Sequence, residues 1–220
     1  FDDNDLFFLQ SLASSAALAI LNARMAEALV EQERVKRELE LAAEIQRSLL
    51  PDEKGEEYPV HGVNCPARTV SGDFYDYFPL PDGRIYFNLG DVSGKGMNAA
   101  LLMAKTASLF RCLGKTIHDP GRLLSLINDE ICETVTRGMF VTMLGGIYDP
   151  KKGTVKLANA GHEPPLYHAR DGSFTPLPAE APPLGISPLL TAGGGIPVTE
   201  LGLDGGSLYV FTDGVTEGYL

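Results

Sequence analysis

Three aspartates stand where the chain could gather carboxylates. Asp73 lies in Ser71-Gly72-Asp73-Phe74-Tyr75-Asp76, Asp91 in Gly90-Asp91-Val92-Ser93-Gly94, and Asp213 in Thr212-Asp213-Gly214. The apolar stretches Phe74–Leu80 and Arg84–Leu89 flank Pro81-Asp82-Gly83, which signals a hairpin. With a three-residue loop, counting outward along both strands brings Asp73 opposite Asp91, with Cβ atoms about 4.5–5.5 Å apart. Two anions at that separation repel unless one is protonated or a cation lies between them. Hard divalent ions such as Mg²⁺ or Mn²⁺ prefer oxygen ligands and relieve the repulsion directly. Gly72, Gly90, Gly94 and Gly96 leave backbone carbonyls and space for an ion and a substrate to approach. Asp213 is the third candidate, ending an apolar strand at a glycine turn, a common place for a site residue. The alternative is that all three are turn residues, since Asp-Gly is frequent turn chemistry. That plainer reading suffices for Asp82-Gly83 and Asp171-Gly172, each set between two strand halves.

Other motifs carry less. Gly90 to Gly96 invites a phosphate-loop reading, but that motif needs Gly where Leu89 stands and Ser or Thr where Gly96 stands. Asn159-Ala160-Gly161-His162 suggests a catalytic histidine, yet Glu163-Pro164-Pro165 follow, and a strand-exit turn accounts for it equally well; one His without a nucleophile beside it has little weight. Arg68, five residues before Asp73, is close enough in the chain to reach a phosphate, though a surface arginine is the commoner outcome.

The elements that must position these residues follow from periodicity and turn chemistry. Leu18, Leu21, Met25, Ala28, Gln32, Val35, Leu39 and Ala42 recur at alternating spacings of three and four, the a/d seam of a heptad. Glu33 and Arg37 form an i, i+4 pair of favourable orientation. Ile45 and Leu49 break the heptad phase, and Pro51 stops the helix. The expectation is a parallel dimeric linker; the alternative is an ordinary amphipathic helix packed on its own domain, since Ala28, Gln32 and Ala42 are weak core choices. Beyond the acidic connector Asp52–Glu57, helices are expected at Met97–Leu113, with Asn98 a possible cap, and from Asp119-Pro120 to about Arg137, where Asp caps and Pro takes the first helical position. Strands are expected at Phe140–Tyr148, Val155–Ala160, Leu166–His168 and Phe174–Leu177, with a loop over Pro178–Pro197. Leu208–Phe211 is apolar enough to be a strand buried at a sheet centre. Antiparallel hairpins with a helical pair inserted between them make an α+β layered domain.

Composition excludes several classes. Across 220 residues, 18 Lys+Arg against 29 Asp+Glu give a net charge of −11, and no Lys or Arg follows Arg170, which argues against a nucleic-acid partner. With 44% hydrophobic and 8% aromatic residues the chain can bury a core rather than stay disordered. Cys65, Cys112 and Cys132 are odd in number and lack a C-x-x-C pattern, so neither a disulfide framework nor a zinc site is expected, and a reducing cytoplasm is the simplest home. No uninterrupted apolar run reaches the roughly 18–20 residues of a membrane span, so no membrane is expected. Starting at Phe1 without Met, the chain is expected to be a piece of something longer.

In order, these residues resemble the PPM family of metal-dependent protein serine/threonine phosphatases, in its bacterial SpoIIE-like branch. The matching stretches are Ala42 to Pro51 (AAEIQRSLLP), SGDFYDYF from Ser71, GDVSGKGMNAALLMA from Gly90, NAGHEPPLY from Asn159, PPLGI from Pro182 and FTDGVTEG from Phe211. Phe1 to Met25 resembles the last helix of a GAF sensor domain. The resemblance implies three parts: residues 1–25 as the end of a truncated sensor, 18–51 as a coiled-coil signalling linker, and 58–220 as a C-terminally incomplete phosphatase domain. It implies an α-β-β-α sandwich of two mainly antiparallel sheets flanked by helices, holding two Mn²⁺ or Mg²⁺ ions. Carried over by motif, Asp91 bridges both ions, Asp73 and the Val92 carbonyl hold one, Asp213 holds the other, and Arg68 matches an Arg common before SGD. The implied reaction is in-line attack of water on phosphoserine or phosphothreonine, without a covalent enzyme intermediate. The implied partner is a phosphorylated STAS-type anti-sigma-factor antagonist, met by a homodimer joined through the N-terminal helix. The family ends with a further aspartate pair and a closing strand that have no counterpart before Leu220, which leaves a second reading: a catalytically silent dimeric module that captures its partner.

Overall fold

The computed structural model describes residues 2–52, 54–65, 69–134, 138–188 and 195–216. They fall into two units, Phe1–Ala42 and Ala43–Leu220. From Asp3 onward the first unit is helical, part of α1 (Asp3–Leu49). Its start is capped reciprocally: the Asp5 amide donates to Asp2 Oδ1 at 2.9 Å, and the Asp2 amide donates to Asp5 Oδ2 at 3.1 Å. The surface carries i, i+3 and i, i+4 pairs, Arg34 with Glu31 and Glu38, Lys36 with Glu40, and the expected Arg37 with Glu33. Apolar side chains lie exposed on and off the heptad seam, among them Phe7, Phe8, Leu18, Leu21, Leu29 and Val30. The expectation of no membrane meets one contrary feature here. No charge stands between Asp5 and Arg24, and an 18-residue window of α1 reaches a mean hydropathy of 1.6, so by length and composition the helix could cross a membrane. Ala and Ser interrupt the large apolar residues there without adding charge, which is why a search for an unbroken run misses it.

The second unit is built on a five-stranded antiparallel sheet. Its strands are β1 (Phe74–Pro79), β2 (Ile85–Val92), β3 (Val141–Asp149), β4 (Thr154–Ala160) and β7 (Thr199–Gly202), lying side by side in that order. A second sheet has β5 (Leu166–His168) between β6 (Phe174–Pro176) and β8 (Ser207–Tyr209). Successive side chains of β3 serve different cores, as the two-residue period of a strand requires. Met143 and Ile147 join Phe74, Phe78, Tyr86, Phe110, Leu123 and Ile127 in the core beneath the helices. Leu144 and Tyr148 join Val155 and Leu157 with Phe87, Leu208 and Val210. The helices over the first core are α2 (Met97–Leu113) and α3 (Pro120–Thr134). The α+β class with two antiparallel sheets is as expected.

Local signals succeed where the chain closes on itself. The Asp119 carboxylate accepts the Arg122 amide at 2.7 Å, the expected cap of α3, while the end of that helix near Arg137 lies outside the described residues. At α2 the expectation is corrected: Gly96, with φ +83°, occupies the cap position, and no side chain caps the helix. Leu208–Phe211 is also corrected. Among the described residues β8 pairs with β5 alone, and Tyr209 is half exposed. Its apolar content reflects one face packed on Leu157 and Val155 rather than burial on both.

Asp76 on β1 is 2% exposed and pairs with Arg111 of α2, whose guanidinium also lies 5.0 Å from the centre of the Phe78 ring. Burial lifts the Asp76 carboxyl to about 6, and the Arg111 charge offsets this only in part. Between about pH 4 and 6 the folded chain therefore binds more protons than the unfolded chain at this group, and its contribution to stability falls as pH rises through that window. Asp76→Asn removes that slope. Urea unfolding at pH 4.5 and 7 should show the variant gaining about 2 kcal/mol on the wild type between the two; an unchanged difference would refute the assignment.

Candidate active site

The three-residue loop sets the hairpin register. The Leu80 amide donates to the Arg84 carbonyl at 2.7 Å in the last ladder bond, Gly83 takes φ +88°, and Phe74 pairs with Gly90. One step outward, Asp73 and Asp91 face each other and their carboxyls share a hydrogen bond. Gly90 is required opposite Phe74, since a Cβ there would stand 2.6 Å from the ring. The Asp73 amide donates to Ser71 Oγ at 3.0 Å, and the Thr212 hydroxyl donates to Asp73 Oδ2 at 3.4 Å. A Cβ on Gly72 would stand 3.0 Å from the Val92 carbonyl oxygen and 3.1 Å from Asp91 Oδ1, so both oxygens line the space that this glycine leaves open.

The electrostatics are those of acids crowded together. Asp91 is pushed well above the carboxylate range, first by burial and then by the Asp73 charge, its hydrogen bond to Asp73 and the charge of Asp213. Asp73 is raised by burial and by Asp213, while the bonds it accepts from Asp91 and Thr212 pull it back. The pair thus holds a proton where a cation would serve better. Its donors are all oxygen, the set a hard divalent ion prefers, so these residues fit Mn²⁺ or Mg²⁺.

Asp213 belongs to the same electrostatic group, but it is exposed at the head of the single-turn helix α4 (Asp213–Thr216). Among the described residues no three His, Cys, Asp or Glu side chains are close enough together to enclose an ion. The structure thus brings Asp73, Asp91 and the Val92 carbonyl together, with Asp213 acting on them from the rim. Arg68 lies outside the described residues.

Two contributors escaped the sequence reading. Gln46, 7% exposed near the end of α1, donates to the Ser71 carbonyl at 2.9 Å and to the Ala100 carbonyl at 3.2 Å, and accepts the Ser71 amide at 3.1 Å. A glutamine in a helix gives no local signal for this. His162, judged weak, is 3% exposed and its Nδ1 is 3.1 Å from the Thr142 hydroxyl, on the residue paired with Asp91.

The family model described as stage II sporulation protein E (SpoIIE) matches residues 81–219. The chain belongs to the SpoIIE family. Among its curated relatives is the phosphoserine phosphatase RsbU of Bacillus subtilis (strain 168), 33% identical over 84% of this chain and 55% of that protein. Protein IcfG of Synechocystis is 32% identical over 82% of this chain and 32% of that protein. The SpoIIE-family chain thus spans about half the length of RsbU and a third of IcfG. The RsbU and RsbW domains of Rv1364c from Mycobacterium tuberculosis superpose with a TM-score of 0.60 at 28% identity, over 70% of this chain and 42% of that one. The SiaA-PP2C domain of Pseudomonas aeruginosa, at 20% identity, shows the same fold with a TM-score of 0.69 over 83% and 73% of the two chains.

If Asp91 is held up by its neighbours, removing its charge relieves the metal-free fold. Asp91→Asn in chelator should raise the melting temperature by about 2–4 °C, and Mn²⁺ should stabilise the wild type but not the variant. Differential scanning fluorimetry reads both shifts, and equal Mn²⁺ shifts would remove Asp91 from the ligand set.

Proposed function

We propose that this chain is the output domain of a metal-dependent phosphoprotein phosphatase that hydrolyses phosphoserine or phosphothreonine on a regulatory protein. The observation that carries the reading is the Asp73–Asp91 pair, pressed together at one end of a sheet with Asp213 adding a third negative charge. The kinship with proteins named phosphoserine phosphatases, RsbU and RsbP of Bacillus subtilis, supports it.

Asp73, Asp91, Asp213 and the Val92 carbonyl are the groups that would hold two Mn²⁺ or Mg²⁺ ions. When bound, such ions supply an activated water and positive charge for the phosphoryl oxygens. The chain's own part is positional. The β1–β2 ladder fixes the two carboxylates against each other, and Thr212 and the Ser71 turn orient Asp73. Arg68, by its place five residues before Asp73, is assigned to the substrate phosphate. The partner in this reading is a phosphorylated STAS-type anti-sigma-factor antagonist in the cytoplasm, where the three free cysteines are at home. Control comes from a GAF-like sensor through residues 18–51.

Asp91→Asn and Asp73→Asn should each lower Mn²⁺-dependent phosphate release from a phosphoserine protein by at least about 100-fold. A malachite-green assay with full activity in either variant refutes the reading; tight capture of the phosphoprotein by the wild type without release would favour a silent binding module instead. The linker makes a separate prediction: light scattering should find a dimer, and Leu21→Glu with Met25→Glu should yield a monomer.

A further inference from the structure

We infer that Gln46 is a positioning residue for the carboxylate pair, a clasp by which the end of α1 holds the turn leading into Asp73 against the helix that follows Asp91. The inference rests on the metal-dependent reading above.

The clasp sits where α1 meets the rest of the second unit along one face. Ala43, Gln46 and Leu50 follow one another at spacings of three and four; Ala43 is buried, and Leu50, just past the helix end, packs against the core beneath α2 and α3. Between these apolar contacts lies an amide that is 7% exposed and must replace the hydrogen bonds it would make in water. Its Nε2 donates to the Ser71 carbonyl at 2.9 Å and to the Ala100 carbonyl at 3.2 Å, with Met103 Sδ a weaker acceptor at 3.5 Å, and its Oε1 accepts the Ser71 amide at 3.1 Å. The partners also assign the orientation of the amide. Two backbone carbonyls can only accept, so they take the NH₂ end, and a backbone N–H requires the oxygen. An apolar side chain could fill this space without making the bonds, and a carboxylate of the same shape would face two carbonyl oxygens.

What the clasp holds lies on both arms of the site. The β1–β2 pairing ends at Phe74 and Gly90, one residue short of the acids, so beyond it Asp73 depends on the turn that precedes it. In that turn Ser71 Oγ accepts the Asp73 amide at 3.0 Å. The next residue, Gly72, is packed so closely that an added Cβ would stand 3.0 Å from the Val92 carbonyl oxygen and 3.1 Å from Asp91 Oδ1. A shift of Ser71 therefore moves Asp73 and Gly72 together against Asp91 and Val92. The other arm leaves Val92 through Gly94 and Gly96 and enters α2, where the Ala100 amide donates to the Gly96 carbonyl at 3.1 Å. One side chain thus joins the segment before Asp73 to the segment after Asp91, and the spacing of the oxygens that would hold an ion depends on it.

Titration calorimetry with Mn²⁺ tests the clasp without relying on turnover. Gln46→Met keeps the length of the side chain and removes its bonds to Ser71 and Ala100; the variant, folded by circular dichroism, should bind Mn²⁺ about tenfold more weakly. In the phosphatase assay the Mn²⁺ concentration for half-maximal rate should rise by the same factor, while kcat at saturating Mn²⁺ stays within about threefold. Leu50→Ala is the comparison for a merely structural role: it weakens the same face of contact without touching Ser71, and should lower the melting temperature while leaving Mn²⁺ affinity unchanged. Should Gln46→Met not fold, Ser71→Ala takes its place, because it leaves both backbone groups on Gln46 and removes only the oxygen that accepts the Asp73 amide; the same weakening is expected. Wild-type Mn²⁺ affinity in the folded variant, or an equal loss in Leu50→Ala, overturns the clasp and leaves the phosphatase reading standing; a wild type that binds no Mn²⁺ overturns both.

Discussion

Two carboxyls that repel are held face to face because the strands bearing them cannot slip. Along β1 and β2 the side chains alternate, and the set turned inward includes Phe74, Phe78 and Tyr86, all buried in one core. A slip of one residue would turn that set out to solvent. Each large apolar side chain loses about 1.5–3 kcal/mol on exposure, whereas a carboxyl raised by a pH unit costs about 1.4 kcal/mol. Several aromatics against two carboxyls is an unequal contest. Packing wins, and the acids stay where the ladder puts them, which is what allows a fold to store charge repulsion at a site until a cation offsets it.

That hairpin was legible in the sequence because its information is local. Pro81-Asp82-Gly83 specifies the loop length, loop length specifies register, and register places Asp73 against Asp91. The helix over Met97–Leu113 and the Asp119 cap were legible for the same reason. What failed depends on neighbours distant in the chain. The apolar content of Leu208–Phe211 does not say how many partners β8 has, and Thr199–Gly202 alternates too little to announce β7, which is defined by its pairing with Thr154–Leu157. Asn98 looks like a cap by residue type, yet Gly94 and Gly96, both at positive φ, turn the chain into α2 without it. His162 shows the limit most clearly. Its motif is visible, but its hydroxyl partner Thr142 lies twenty residues before it on another strand, which no spacing rule joins.

The family match and the geometry constrain each other at the same place. Kinship alone would identify Asp73 and Asp91 by motif, without a reason for glycine at 72 and 90. The structure supplies the reason, since a Cβ at 72 would crowd the Val92 carbonyl and Asp91 Oδ1, and one at 90 would strike Phe74. The glycines are thus part of the site's shape: one keeps the Val92 carbonyl and Asp91 Oδ1 open, the other lets the strands approach closely enough for the acids to meet.

Asp73 is also fixed along its strand, between two anchors that share one helix. Ahead of it, Gln46 grips both backbone groups of Ser71 and bonds the Ala100 carbonyl in the first turn of α2. Behind it, Asp76 is paired with Arg111 in the last turn of α2. The helix therefore spans the segment that carries Asp73, touching it two residues before and three residues after that residue. A rigid shift of α2 cannot move one anchor without the other, because an unbroken helical ladder joins Ala100 to Arg111. Asp91, by contrast, is held by β3 through its ladder and Thr142. The two halves of the carboxylate pair thus answer to different bodies, α2 for Asp73 and the central sheet for Asp91, and the space between them is set by how those bodies pack.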